Sequence, residues 1–325
     1  YQKTRTKFYY NRLLTCLKEQ NKLKESEKLI TKQVKRFPQE YSYQMDLGAI
    51  YEQTERTEKA NDLYAEVIKE IPPISYQIIR LSNEFKNSGK YDFALQTLQK
   101  GRKVIGKTYP FNYQFADLYS IQGKVDLMLN AYFDLLEDNP SNKRNIEIML
   151  SRQFDFTEEQ KDHELLRVKI LERIRKNPSN TNFDELLIWF FIQKQDFFNA
   201  YVQSKALDKK TKGAGREVYN LGNIAVNSHS FSNARKCYKY VLDLGKDKPL
   251  YNMALQKLLK VSYTELTTKR NFDETSINEV VAAYELGLQD MTGDKIKIQA
   301  SREYAEILAF YANQPKKAKA LLEDI

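Results

Sequence analysis

Residues 101–108 read Gly-Arg-Lys-Val-Ile-Gly-Lys-Thr, the G-x-x-x-x-G-K-T spacing of a loop that cradles phosphate. That chemistry needs a strand before the loop and a helix opening at the lysine, so that main-chain N–H groups converge on phosphate oxygens. Here the preceding Phe93, Ala94, Leu95 and Leu98 recur at helical spacing. Tyr109-Pro110 follow, and Pro suits the first turn of a helix beginning a little later. The match is therefore read as a turn between helical units, and no nucleotide binding is expected. The two histidines, His163 and His229, and the two cysteines, Cys16 and Cys237, lie on unrelated segments. They supply no catalytic triad, zinc site or disulfide framework, and the thiols are read as small hydrophobes. Carboxylate groups such as Glu158-Glu159 and Asp134, Glu137 and Asp138 suit helix ends or solvated faces better than a paired-acid site. The expectation is a non-enzymatic chain with no catalytic residue, metal, cofactor or small-molecule substrate.

The elements that carry these residues follow from composition. The 325 residues are 42% hydrophobic and 29% charged, with 11 Gly and 8 Pro, and the mean hydropathy is −0.65. Such a chain can bury a core, and so few turn formers favour long helices over a many-stranded sheet. No apolar run approaches the roughly 18 residues of a membrane-spanning helix. The net charge is +9, which brings an acidic partner, nucleic acid or an anionic lipid surface into consideration. Charges of both signs are interleaved along the chain, and the densest basic runs, Lys3 to Lys7, Lys209 to Arg216 and Lys246 to Lys248, are short, so a solvated helical surface is the first reading. The sequence begins at Tyr1 rather than Met, so a segment of a longer protein is expected, with any signal peptide upstream.

One period organises the chain. From Tyr41, Leu47-Gly48 is followed by Tyr51, Ala60, Tyr64, Val67 and Pro72. The next repeat, from Ser75, gives Leu81, Phe85, Gly89, Ala94 and Leu98, and the one after, from Tyr109, gives Phe115, Ala116, Tyr119, Gly123, Tyr132 and Pro140. One step back from Tyr41 is Lys7, with Leu13, Leu17, Ile30 and Pro38. Pro38, Pro72 and Pro140 fall in phase, with Gly106 between them. The pattern resembles the tetratricopeptide repeat (TPR), a helix-turn-helix unit of about 34 residues. Small residues let its two helices approach, aromatics fill the gap to the next hairpin, and Pro ends the second helix.

A longer unit runs from Lys143 to Asn180, closing on Asn177-Pro178-Ser179-Asn180 as the previous one closes on Asn139 to Asn142. The period resumes from Thr181 with Leu187, Phe191 and Ala200, and from Gly215 with Leu221-Gly222, Ala225, Ala234, Tyr238 and Val241. From Pro249 the helices are expected over 251–267 and 275–289, joined by Lys269 to Asp273. A last hairpin is expected from Gln299 through Ala305, Ala309 and Ala318 to Leu322. The pattern departs at Gln44 and Asn112, where a large apolar residue is usual, and crossing angles are expected to shift there.

The resemblance implies an all-α, right-handed α-solenoid of about nine hairpins, starting near residues 7, 41, 75, 109, 143, 181, 215, 249 and 299. It would form one superhelix over 7–325, within a longer protein or with its ends ordered by a partner, because no capping helix follows at Ile325. It implies a groove of first helices that takes a protein or peptide. Carried onto this register, the groove positions are Met45, Ala49 and Glu52, then Tyr76, Ile79, Asn83 and Lys86, then Tyr113 and Asp117. Later ones are Glu185, Trp189 and Gln193, then Arg216, Tyr219, Asn223 and Asn227. The two-carboxylate clamp of TPR chaperone adaptors is not reproduced. Asn83 fits it, but Ile79, Gln114 and Ile148 replace its other members.

On this register Trp189 faces the groove and Phe191 the core, with packing of Trp189 on a neighbouring helix as the competing role. Trp189 and Tyr219 are expected to serve partner binding with little effect on stability. Ala200 and Ala234 are expected at close helix contacts. The function expected is a protein-interaction scaffold or adaptor within a multiprotein assembly, a membrane-associated complex among the candidates. The alternatives are a nucleic-acid-binding helical repeat and a regulatory TPR segment of a larger protein. Acidic Glu52, Asp117 and Glu185 in the groove count against nucleic acid. The abundance of Lys, Tyr and Asn is similar to long TPR proteins of Gram-negative cell envelopes, which implies a periplasmic address, with cytoplasm as the alternative.

Overall fold

The computed structural model describes residues 7–158, 161–268 and 273–324. The expected features at Lys3, Glu159 and Lys269 to Phe272 lie outside these. Among the described residues the regular structure is entirely helical, in two compact units, Tyr1–Asn142 and Lys143–Ile325.

The first unit holds four hairpins. They are α1 (Lys7–Glu19) with α2 (Leu23–Arg36), α3 (Tyr41–Gln53) with α4 (Thr57–Glu70), α5 (Ser75–Asn87) with α6 (Tyr91–Ile105), and α7 (Asn112–Ile121) with α8 (Val125–Asp138). The second unit holds five. They are α9 (Lys143–Gln153) with α10 (Lys161–Lys176), α11 (Asn182–Gln193) with α12 (Phe197–Thr211), α13 (Arg216–Asn227) with α14 (Phe231–Asp243), α15 (Tyr251–Thr268) with α16 (Glu274–Asp290), and α17 (Asp294–Phe310) with α18 (Pro315–Glu323). Helices also pack on their counterparts in the next hairpin, α3 on α5, α4 on α6, α12 on α14 and α15 on α17. The first helices begin at Lys7, Tyr41, Ser75, Asn112, Lys143, Asn182, Arg216, Tyr251 and Asp294. The last hairpin begins at Asp294, not Gln299, because Gly293 turns the chain at φ +94° and Ile296, in the added turn, packs half-buried against the core.

The turn inside six of the hairpins has one backbone solution. Asn21, Glu55, Gly89 and Gly123 all take positive φ, each one repeat length after the last, as do Gln195 and His229. In each the next amide reaches back over the helix end. Arg56 N–H donates to the Tyr51 carbonyl at 2.8 Å, Lys90 N–H to Phe85 at 2.8 Å and Ser230 N–H to Ala225 at 2.8 Å. This is the left-handed C-cap that satisfies orphan helix carbonyls.

Small residues set the distance within hairpins. Ala60, Ala94, Ala200 and Ala234 are fully buried. A Cβ on Gly48 would lie 2.0 Å from the Tyr64 hydroxyl, and one on Gly222 2.7 Å from the Tyr238 ring. The polar departures are paired. The Gln44 amide donates to the Pro38 carbonyl at 2.7 Å, and the Asn112 oxygen accepts from Arg102 at 2.9 Å.

Candidate partner-binding cleft

The helix α13 presents Tyr219, Asn223 and Asn227 at intervals of four, one helical face. Facing it, α15 presents Met253, Gln256, Lys257 and Lys260, and between the two first helices lies a cleft of about 510 Å³. Its floor is aromatic and aliphatic. The rings of Tyr219 and Tyr238 lie 5.7 Å apart, and Val261 is buried beside them. The Tyr238 hydroxyl donates to Asn223 Oδ1 at 2.9 Å, which fixes the amide and leaves its N–H₂ as a donor. Burial pushes the Tyr219 and Tyr238 hydroxyls above the ordinary tyrosine range, so both stay protonated.

The rim is polar. Lys260 donates to Glu303 at 3.0 Å and rests 4.3 Å above the Tyr263 ring, so it is committed to the fold. Lys257, by contrast, makes no ion pair among the described residues. Met253 is 40% exposed at the mouth. The arrangement offers a fixed apolar floor with amide and ammonium groups above it. It can hold an apolar side chain and pair with the carbonyl or carboxylate groups beside it.

Other expected groove residues are placed differently. Met45 and Tyr219 are 6% and 7% exposed, Met45 in the core and Tyr219 in the cleft floor, because neighbouring helices cover them. Tyr219 therefore cannot be a stability-neutral anchor, since it forms part of the core that the cleft exposes. Tyr76 and Tyr113 stand exposed at 64% and 43%, and Asn83 and Arg216 are also exposed. The charges are largely consumed between hairpins. Lys90 donates to Glu52 at 2.5 Å, Lys86 to Asp117 at 2.7 Å, and Lys143 pairs with Glu185.

Trp189 is half-buried, its ring edge-to-face with Phe156 at 5.6 Å. Phe190, at 4% exposed, lies deeper than the half-buried Phe191 that the register assigned to the core. The cause is the longer unit. Its extra residues after α9 lay Phe156 on the buried His163 ring, 5.1 Å away and nearly parallel. Burial, followed by the nearby Lys194 ammonium, lowers the His163 pKa. A larger cleft, about 820 Å³, opens beside His163, but the Arg167 there is held by Glu164 and Asp196 caps α12.

The phosphate-loop match is placed on a helix. Gly101 lies within α6 with its missing Cβ 2.6 Å from Ile78, and Gly106 to Thr108 form one 3₁₀ turn. A helix interior followed by a 3₁₀ turn does not converge main-chain amides on one point. Calorimetry with ATP or GTP is expected to show no binding, and tight binding lost on Lys107→Ala would prove the opposite. Among the described residues no group of three or more His, Cys, Asp or Glu is placed to hold a metal, and no helix is long and apolar enough to cross a membrane.

No family model matches the chain, and no curated protein matches it. Among solved structures it is similar to one of Naa15/Naa10 bound to HypK-THB, with 14% identity and a TM-score of 0.32, over 98% of this chain and 52% of that chain. The chain thus spans about half the length of that match. It is also similar to Pseudomonas aeruginosa pilF, with 12% identity and a TM-score of 0.27, over 76% of this chain and 89% of that chain. Likeness at this level carries nothing about partners. The hairpins, the recurring left-handed turns and the Gly48–Tyr64 and Gly222–Tyr238 approaches make this a TPR-like helical-repeat protein.

Proposed function

We propose that the chain is a non-enzymatic interaction scaffold that holds a segment of a protein partner against its first helices, with the cleft between α13 and α15 as an anchoring site. One observation carries this reading. The cleft joins a rigid aromatic floor to polar groups, Asn227, Gln256 and Lys257, that make no ion pair or hydrogen bond among the described residues. A partner segment with an apolar side chain flanked by carbonyl or carboxylate groups fits it.

The nucleic-acid reading needs a continuous basic stripe along the first helices. Glu52, Asp117 and Glu185 interrupt it, each paired with a lysine. We also propose an address in a Gram-negative cell envelope, supported by the composition described above. Fractionation of native cells that finds the protein in the cytosol overturns that part alone.

The test begins with isolation of the partner from native cells and measurement of its affinity for purified protein. Lys257→Glu with Met253→Asp is expected to weaken binding by about 2 kcal/mol or more, the scale of a hot spot. Both side chains lie at the cleft's open edge, so the melting transition should hardly move. Unchanged affinity in this double variant would remove the cleft from the interface.

A further inference from the structure

The second helices α12 and α14 carry a different surface, outside the cleft. On α12 the exposed residues Phe198, Val202, Ala206 and Lys209 form one stripe at helical spacing. On α14 the matching stripe is Ser232, Lys236, Lys239 and Asp243. The two stripes are contiguous. Lys236 Nζ lies 5.0 Å from the Phe198 ring, and Lys205 Nζ bridges the Tyr201 and Tyr240 rings at 5.9 and 5.4 Å. Phe198 is 53% and Val202 47% exposed, one turn apart, so an apolar ridge stands among ammonium groups.

The charge balance of this face is one-sided. Lys210 is drawn away to Asp184 at 2.6 Å, and Arg235 pairs with Glu265. Lys209, Lys212, Lys236 and Lys239 are exposed and make no ion pair among the described residues. Asp243 is the single carboxylate in either stripe. The neighbouring second helices differ. Exposed Glu164 and Glu172 interrupt α10, and exposed Glu274, Glu279 and Asp290 interrupt α16. The basic surface is therefore bounded, two helices wide.

We propose that this face docks on an anionic lipid bilayer surface. Lysine ammoniums on flexible stems suit a diffuse layer of headgroup charge. Phe198 and Val202 stand where side chains would enter the headgroup boundary while the lysines stay among the headgroups. Nucleic acid fits less well, because the arginine that α12 and α14 carry, Arg235, is held by Glu265 and offers no free planar fork to phosphate. The face shares no residue with the partner-binding cleft, so each reading can fail alone.

The test is co-sedimentation of the 325-residue chain with vesicles of phosphatidylcholine, with or without phosphatidylglycerol. Binding is expected only to the anionic vesicles, and it should weaken as salt rises. Lys236→Gln with Lys239→Gln should weaken partitioning about thirtyfold, from about fivefold per lysine near a charged surface. Phe198→Ser should also weaken it, and Lys257→Glu in the cleft should leave it unchanged. All four side chains are wholly or partly solvent-exposed, so unchanged melting curves should accompany these variants. Lys209→Gln with Lys212→Gln gives an independent second pair. Absence of vesicle binding, equal binding to uncharged vesicles, or a double variant that binds like wild type overturns the proposal. So does an oligonucleotide that binds through Lys236 and Lys239 when vesicles do not.

Discussion

Gly48→Leu is expected to destabilise the first unit by about 3 kcal/mol or more, the upper end of overpacking costs in a close-packed core. A Cβ at Gly48 would stand 2.0 Å from the Tyr64 hydroxyl oxygen and 2.2 Å from its Cζ. Tyr64 is fully buried, and its ring is held edge-on by Phe85 at 5.4 Å and Phe93 at 5.1 Å. It has no space into which to withdraw, so α3 and α4 must separate. Gly48→Ala makes the sharper comparison. Helix propensity alone predicts a gain of about 1 kcal/mol from removing a mid-helix glycine. The contact at 2.0 Å says otherwise, and packing should win, leaving a net loss. Gly89→Ala is the control for mechanism. Nothing lies within 4 Å of its added Cβ, so only the strain at φ +73° remains, about 1–2 kcal/mol. Urea unfolding followed by circular dichroism ranks the three variants. A stabilising Gly48→Ala would mean that the hairpin does not close as described.

The same glycines show what a sequence can carry. Leu47-Gly48 and Leu221-Gly222 announce close helix approach because only the smallest side chain fits there. The hairpin turns were half legible. Gly89 and Gly123 signal left-handed backbone, and Asn21 and His229 are types that tolerate it, but Glu55 and Gln195 adopt it with no such signal. Their conformation is imposed by the helix-capping geometry, which overrides residue preference. Period alone also fixes which helix a residue sits on better than how deeply it lies. Tyr76 and Tyr219 share the expected groove, yet one is exposed and the other buried, because depth depends on how closely the next hairpin covers each position. The facing side of the cleft, Met253 to Lys260, was hidden because the hairpin of α15 and α16 exceeds the period and blurs the register. The Phe156–His163 stack was invisible for a similar reason, since the residues that build it lie in the irregular unit.

Asp208→Ala is expected to cost about 3 kcal/mol and to loosen the α13 wall of the cleft, because it strands two buried donors at about 1–3 kcal/mol each. Asp208 is 5% exposed at the end of α12. Its Oδ1 accepts the Gly215 N–H at 2.7 Å, and its Oδ2 accepts the Tyr240 hydroxyl at 2.8 Å. Gly215 is the N-cap residue of α13, at φ +80°, and α13 carries Tyr219 and Asn223. One carboxylate thus ties the end of one hairpin to the first helix of the next and to its second helix. Asp208→Asn keeps one acceptor oxygen and should lose about half as much. Tyr240→Phe removes one of the two donors that Asp208→Ala strands, so the double variant should be less destabilised than the sum of the two singles. Partner affinity should fall in Asp208→Ala without any change at the cleft's own residues. A loss within about 0.5 kcal/mol, typical of surface substitutions, would show that water replaces the carboxylate. Asp208 would then not be what sets the α13 wall of the cleft.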